Sequence, residues 1–188
     1  MPRLTVIVAS TRPGRSGRQI ADWFTATAAR QGDFEITLAD LAEIKLPFLD
    51  EPHHPSEGRY VHDHTRRWSA VVDASDAFVF VMPEYNAGFN APLKNAIDFL
   101  YHEWRYKPVG FVSYGTTASG HRAVQMIKQV VMILRMTPVA DAVSIPLKQY
   151  VDQDGKLVPA AAMEEAAVKM LGELRRFADA FAGLRAPA

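Results

Sequence analysis

The residues most informative about the fold are Leu4-Thr-Val-Ile-Val-Ala9-Ser10-Thr-Arg-Pro-Gly-Arg15-Ser-Gly-Arg18. Its first six residues are apolar apart from one threonine, which is typical of a short strand buried on both faces. The residues after Ala9 are polar, contain a proline and a glycine, and lead into a segment with apolar residues at helical spacing. A buried strand, a loop and a helix in this order form the first part of a parallel α/β unit.

The same alternation continues along the chain. Four more strands are predicted at 35–40, 77–82, 109–113 and, with a weaker pattern, 139–144. Helical periodicity lies between them, and the apolar stripe from Met163 to Phe181 predicts a long last helix that closes the second face of the sheet. We therefore predict an α/β fold, a flavodoxin-like three-layer sandwich whose five-stranded parallel sheet has the order 2-1-3-4-5 with helices on both faces.

Composition favours one domain over residues 1–188, because 188 residues with 48% hydrophobic content suffice for one sizeable core. The 21 basic and 21 acidic residues cancel, so we expect neither nucleic acid nor a membrane surface as a partner. The absence of cysteine excludes disulfides and thiolate chemistry. Together with the lack of a long apolar stretch, it leads us to expect a cytoplasmic protein.

The first loop, residues 10–18, is suited to bind an anion. It combines the hydroxyls of Ser10, Thr11 and Ser16 with guanidinium groups and with the free amides at the start of the next helix. The alternative is a solvated turn whose serines only cap the helix. The loop matches neither the G-x-G-x-x-G of dinucleotide folds nor the G-x-x-x-x-G-K-[ST] of P-loop enzymes.

Two more loops follow neighbouring strands. The second loop, residues 82–92, contains Tyr85, which can offer an aromatic face to a planar ring or serve as ordinary packing. The third loop, residues 112–120, consists of small residues that can present backbone amides to a ring edge. The predicted strand order brings all three loops to one sheet edge, the layout that flavin mononucleotide (FMN) needs.

Two other kinds of functional site, a serine hydrolase site and a metal site, fit the sequence less well. Ser113 does not lie in a G-x-S-x-G motif, so a serine hydrolase is not expected. Four histidines, His53, His54, His62 and His64, precede or enter a helical segment, but no cysteine or carboxylate set completes a metal site. On a helix, the side chains of His62 and His64 would diverge. We predict no metal site.

At the three loops the chain resembles the NADPH-dependent FMN reductase family, which includes quinone, azo-dye and chromate reductases. The motifs that carry this resemblance are Ala9-Ser-Thr-Arg-Pro-Gly-Arg15, Pro83-Glu-Tyr-Asn86 with Pro92-Leu-Lys-Asn-Ala-Ile-Asp98, and Ser113-Tyr-Gly115. The resemblance implies that the first loop holds the FMN phosphate through Ser10, Arg12, Ser16 and Gly17, and that Pro83–Asn86 and Ser113–Gly115 hold the isoalloxazine ring. The full expected set of cofactor-binding residues is Ser10, Thr11, Arg12, Ser16, Gly17, Arg18, Pro83, Glu84, Tyr85, Asn86, Ser113, Tyr114 and Gly115.

Two residues depart from the family pattern. Ala9 stands in place of a glycine, and Arg18 stands in place of an asparagine. Arg18 either strengthens phosphate binding or faces solvent.

The expected activity is FMN-dependent oxidation of NADPH or NADH, with electrons passed to a small acceptor such as a flavin or quinone by ping-pong hydride transfer. No catalytic side chain is expected, because the flavin carries the chemistry. The resemblance also implies a homodimer or homotetramer, in which Lys94, Asp98 and Tyr101 are either interface or merely exposed residues. Two alternatives are a flavodoxin-type electron carrier, which the balanced charge disfavours, and a flavin-free binding protein of the same fold.

Overall fold

The computed structural model describes residues 1–185, so residues 186–188 of the expected domain lie outside the described part. The strands are β1 (Arg3–Val8), β2 (Glu35–Asp40), β3 (Ala77–Tyr85), β4 (Gly88–Phe89), β5 (Pro108–Gly115), β6 (Thr137–Pro138) and β7 (Val143–Pro146). The α-helices are α1 (Gly17–Gln31), α2 (Leu41–Ile44), α3 (Asp63–Asp73), α4 (Ala91–Asp98), α5 (His121–Ile133), α6 (Leu147–Tyr150) and α7 (Ala161–Arg185). Two 3-10 turns lie at Pro55–Glu57 and His102–Trp104.

The sheet has the order β2-β1-β3-β5-β6, with β7 also paired in parallel with β5. This arrangement confirms the predicted parallel sheet and its strand order. The fifth predicted strand, 139–144, is instead replaced by two short strands, β6 directly before it and β7 at its end. The gap between them has a physical cause, since the amides of Ala140 and Asp141 donate to the carboxylate of Glu173 on α7, at 2.9 and 3.0 Å, instead of joining the ladder.

Two apolar cores lie on opposite faces of the sheet. One packs α3, α4 and α5 against the sheet and contains the fully buried Trp68 and Trp104. The other packs α1 and α7 against the sheet, with Phe24 and Met170 among its members. The long last helix therefore closes the second face, as its apolar stripe predicts. Burial on both faces explains why the central strands are almost uniformly apolar.

Strand β3 is longer than the sequence predicts. It continues beyond Met82 to Tyr85 and turns back into the antiparallel strand β4, so that Tyr85 pairs with Gly88. The two turn residues, Asn86 and Ala87, have φ of 50° and 65°. Two-residue hairpins favour such left-handed turns because their twist matches that of the strands, but alanine, unlike glycine, is strained there. The second loop is thus a tight hairpin rather than an irregular loop.

The segment 46–58, between α2 and α3, is irregular apart from its 3-10 turn. Asn95 on α4 holds it at two points. Its Oδ1 accepts from the Leu49 amide at 3.0 Å, and its Nδ2 donates to the Pro47 carbonyl at 2.7 Å. Within residues 1–185, the structure contains no helix with the length and apolar character needed to cross a membrane.

Candidate cofactor-binding site

The three loops meet at the carboxyl edge of the sheet and enclose a cleft of about 260 Å³. Its walls come from all three loops and from the start of α6. The lining residues are Ser10, Arg12, Arg15 and Ser16; Pro83, Glu84 and Tyr85; Tyr114, Gly115 and Thr116; and Leu147. The convergence expected from the strand order is therefore present.

The start of α1 forms one end of the cleft. Gly14, at a φ of 68°, turns the chain, and a bond of 3.2 Å from the Arg15 amide to the Arg12 carbonyl closes that turn. The N-cap residue Ser16 makes no side-chain cap bond, and the first helical turn contains no acidic residue. The positive end of the helix dipole is thus left without a negative side chain of its own turn, which suits it to an external anion.

The arginines of the first loop have different surroundings. The Arg15 guanidinium lies 2.6 Å from the buried carboxylate of Asp40, yet its Nε is buried and has no hydrogen-bond partner in residues 1–185. Arg12 is exposed and lines the cleft. Arg18 does not line the cleft: it pairs with Asp22 at 2.9 Å and with Glu43 at 2.8 Å, and its Nη1 lies 3.4 Å from the Asp40 carboxylate that also holds Arg15.

Tyr114 reaches from the third loop to the first. Its side chain packs into the core between the sheet and α1, and the residue is 4% exposed. A Cβ placed on Gly17, the first residue of α1, would lie 2.5 Å from the Tyr114 hydroxyl. This hydroxyl is buried and unpartnered within the described chain. Burial raises the pKa of Tyr114 above its ordinary value, so the phenol stays protonated and can donate.

The second loop is tied to both of its neighbours. The Tyr85 hydroxyl lies 3.2 Å from Ser10 Oγ in the first loop. Glu84, whose side chain is 4% exposed, accepts from the Arg122 amide at 3.2 Å and from Arg122 Nε at 2.5 Å. Its carboxylate therefore fixes the start of α5, directly after the third loop. A carboxylate engaged in this way is poorly placed to transfer protons.

The structure separates the thirteen expected residues into two groups. Those that line the cleft are Ser10, Arg12, Ser16, Pro83, Glu84, Tyr85, Tyr114 and Gly115, with Gly17 directly behind Tyr114. The other four do not line it. Thr11 faces a separate groove, Arg18 pairs with acidic residues, Asn86 is exposed at the hairpin turn, and the buried Ser113 donates to the Ser119 carbonyl at 3.1 Å.

Three lining residues were not predicted. Arg15 lies inside the first-loop motif, and its place between Gly14 and Ser16 could have indicated it. Thr116 directly follows the predicted Gly115. Leu147 comes from α6, far along the chain, and no local pattern marks it.

A second cavity, of about 360 Å³, lies beside the first and is mostly apolar. We call it the α2–α4 groove. Its lining residues are Thr11, Leu41, Ala42, Lys45, Leu46, Phe48, Ala91, Pro92 and Asn95. Phe48 is 85% exposed, and the neighbouring Leu49 is 42% exposed.

The arrangement of His62 and His64 differs from the prediction. The rings of His62 and His64 are stacked, with centroids 5.1 Å apart, so the prediction that they diverge is wrong. The reason is that His62 precedes α3 in an extended conformation, which lets His64 of the first turn lie against it. His64 Nε2 is 3.0 Å from Asp50 Oδ1. Among residues 1–185, no three His, Asp or Glu side chains are grouped so that they could hold a metal ion.

Comparison with known sequences identifies similar proteins. The family described as NADPH-dependent FMN reductase matches residues 2–149. The NAD(P)H-dependent FMN reductase of Schizosaccharomyces pombe is 37% identical over 187 residues, which cover 97% of this chain and 90% of that protein. The NAD(P)H-dependent FMN reductase of Saccharomyces cerevisiae is 35% identical over 157 residues, which cover 77% of this chain and 82% of that protein.

Solved structures show the same fold. A flavoenzyme NAD(P)H:(acceptor) oxidoreductase from Paracoccus denitrificans superposes with a TM-score of 0.71 at 20% identity, covering 96% of this chain and 97% of the other. A flavodoxin from Streptococcus pneumonia superposes with a TM-score of 0.57 at 12% identity, covering 92% of this chain and 97% of the other. The flavodoxin-like architecture is therefore shared with chains of very different sequence.

Proposed function

The chain belongs to the NADPH-dependent FMN reductase family and is an FMN-dependent NAD(P)H oxidoreductase, and we propose that FMN binds in the cleft between its three loops. In this proposal the start of α1 would hold the phosphate, and the second and third loops would hold the ring. When bound, the flavin supplies the chemistry of accepting a hydride and passing on electrons. The protein supplies binding, orientation and exclusion of water.

The observation that carries this proposal is the pair of buried donors at one end of the cleft. Arg15 Nε and the Tyr114 hydroxyl have no partner in residues 1–185, and both residues line the same cleft. A buried polar group left unpaired costs about 1–3 kcal/mol. A phosphate brings several acceptor oxygens to the uncapped helix start, where Arg12, Ser10 and Ser16 add further donors.

The remaining lining residues suit a planar ring. Pro83 stiffens one part of the wall, Tyr85 offers an aromatic surface, and Gly115 and Thr116 add the contribution of the third loop. Because Glu84 is committed to Arg122, the cleft contains no obvious side chain for proton transfer. Reduced nicotinamide and acceptor must reach the same ring. We therefore infer that they occupy this space in turn, with the donor leaving before the acceptor binds.

The acceptor is proposed to be a small molecule such as a flavin or a quinone. Support comes from the names of the relatives, which include FMN reductases and, in rice, a probable NADPH:quinone oxidoreductase. The electron-carrier and flavin-free alternatives are not favoured, because these relatives are named as enzymes. A cytoplasmic location is proposed on the absence of cysteine from the sequence.

Self-association as a homodimer or homotetramer is proposed from the α2–α4 groove. An exposed phenylalanine beside an apolar groove is an energetically unfavourable surface for a monomer. On the adjoining helix, Lys94 and Asp98 pair at 2.6 Å, which offsets their charges on this side of the molecule. Tyr101 is half-buried just beyond that helix. Light scattering of the protein as it elutes from a size-exclusion column distinguishes monomer, dimer and tetramer.

The function is tested by anaerobic stopped-flow absorbance of the FMN-loaded protein. Mixing with NADPH or NADH should bleach the visible flavin band rapidly, and the two rates rank the donors. Stable FMN binding without bleaching would contradict the reductase assignment and favour an electron carrier. A protein that stays colourless after incubation with FMN would favour the flavin-free alternative.

A further inference from the structure

Tyr114 lies in the wrong place for the role that the family pattern implies. The resemblance assigns Ser113–Gly115 to the ring, yet the Tyr114 side chain leaves the third loop and ends beside Gly17, at the start of α1. Its hydroxyl is thus at the end of the cleft formed by Ser10, Arg12 and Ser16. Position alone therefore associates this phenol with the phosphate end.

We propose that the Tyr114 hydroxyl donates a hydrogen bond to the FMN phosphate, so that a residue of the third loop completes the phosphate site. This inference rests on the proposed function, because it needs FMN in the cleft. It assigns the third loop two tasks, with Gly115 and Thr116 at the ring and Tyr114 at the phosphate.

Three observations support a donor role. The residue is 4% exposed, so water does not readily satisfy the hydroxyl. The hydroxyl has no hydrogen bond of acceptable distance and angle in residues 1–185, and the nearby Ser10 Oγ, which opposes part of the rise in the pKa of Tyr114, is already within 3.2 Å of the Tyr85 hydroxyl. Burial also raises the pKa of Tyr114, which keeps the proton on the phenol at neutral and moderately alkaline pH. A phosphate oxygen accepts such a hydrogen bond strongly, because it is charged.

The experiment compares two ligands that differ only in the phosphate. Apoprotein is titrated with FMN and with riboflavin, and flavin fluorescence gives each dissociation constant. Tyr114→Phe should weaken FMN binding about tenfold or more, as expected for the loss of a hydrogen bond to a charged group. Riboflavin binding should change by less than about twofold, because the ring contacts remain.

A second measurement separates this role from a structural one. Replacing a buried hydroxyl that lacks a partner should leave the melting temperature of the apoprotein unchanged or slightly higher. Inorganic phosphate should raise the melting temperature of wild-type apoprotein more than that of Tyr114→Phe. Tyr60→Phe is the matched control, since it removes a hydroxyl bonded to Glu103 at 3.1 Å outside the cleft. It should lower stability and leave the FMN-to-riboflavin affinity ratio unchanged.

Different results would overturn different claims. Equal losses of FMN and riboflavin affinity in Tyr114→Phe, or no loss of either, would overturn the inference while leaving the proposed function intact. A marked fall in apoprotein stability with an unchanged affinity ratio would also overturn it, since Tyr114 would then be a structural residue. Failure of the wild-type protein to bind FMN would overturn the inference and the proposed function together.

Discussion

Buried polar groups at the two edges of the sheet differ in whether they have hydrogen-bond partners. At the edge where the strands begin, the buried Lys107 donates to the carbonyls of Val72 and Asp73 at 2.8 and 2.9 Å, and Asp76 pairs with Arg185 at 2.8 Å. At the edge where the strands end, the Tyr114 hydroxyl and Arg15 Nε are buried without partners in residues 1–185. The strained turn of the β3–β4 hairpin lies at this second edge as well.

This difference suggests a division of labour. Polar groups that are satisfied within the chain contribute to the stability of the fold, whereas buried donors without partners lower it until a ligand arrives. Substitutions at the first edge should therefore change the free energy of unfolding and leave cofactor affinity unaffected. Substitutions at the second edge should change cofactor affinity or relieve a local cost, and they should not lower the free energy of unfolding of the apoprotein.

The largest expected effect is at the first edge and depends on pH. Burial lowers the pKa of Lys107 from its ordinary 10.5 to about 8. Below pH 8 the amine is charged in both the folded and unfolded states. Above pH 8 the folded state loses the proton first, so the unfolded state binds more protons and the free energy of unfolding rises until about pH 10.5.

Chemical denaturation of wild type and Lys107→Met at pH 7 and pH 10 measures this effect. The stability difference, wild type minus variant, should shift by about 2–3 kcal/mol in favour of wild type at the higher pH. Subtracting the value for the variant cancels the contributions of the other groups that titrate between pH 7 and pH 10. A parallel pH dependence for both proteins would show that Lys107 is not desolvated. A changed FMN affinity at pH 7 would contradict the separation of the two edges.

An intermediate effect is expected at the second edge, from two arginines of one loop. Arg12 lines the cleft, whereas Arg18 pairs with Asp22 and Glu43. Arg12→Ala should weaken FMN binding about tenfold, because a charged contact with the phosphate is lost, and should barely change apoprotein stability. Arg18→Ala is the matched control and should have little effect on FMN affinity. Equal losses in both variants would assign Arg18 to the phosphate as well.

The smallest expected effect is at the hairpin turn. Ala87 has a left-handed backbone with a φ of 65°, which is strained for alanine but not for glycine. Ala87→Gly should therefore stabilise the protein by up to about 1 kcal/mol. Thermal unfolding of the apoprotein measures it. Because strain at a site often maintains ligand geometry, FMN affinity is to be measured in parallel. A lower melting temperature would show that the turn is not strained in solution.

Much of the fold follows from local pattern. Strand order and the meeting of the three loops could be predicted because uniformly apolar runs alternate with helical periods, and parallel α/β connections allow few arrangements. That two short strands form at the end of the sheet, rather than one, could not be predicted. It depends on Glu173, which lies far along the chain and takes the backbone amides of residues 140 and 141.

The site was predicted less completely, for a related reason. A motif indicates which loop approaches a ligand, but the direction of each side chain depends on distant partners. Arg15 and Arg18 both contact Asp40, yet Asp22 and Glu43 also hold Arg18, and only Arg15 lines the cleft. Tyr114 lies next to Gly115 in the chain, and only the fold, which brings the end of β5 close to the start of α1, places its hydroxyl at Gly17.

The bond between Glu84 and Arg122 has a consequence for redesign. Because Glu84 closes the start of α5, the hairpin and the helix that follows the third loop form one mechanical unit. A hairpin could be exchanged for that of a relative to change which electron acceptors are used. Unless the new hairpin retained Glu84, the Arg122 side chain and amide would lose their hydrogen-bond partner. Residues 83–90 and 113–122 should therefore be exchanged together.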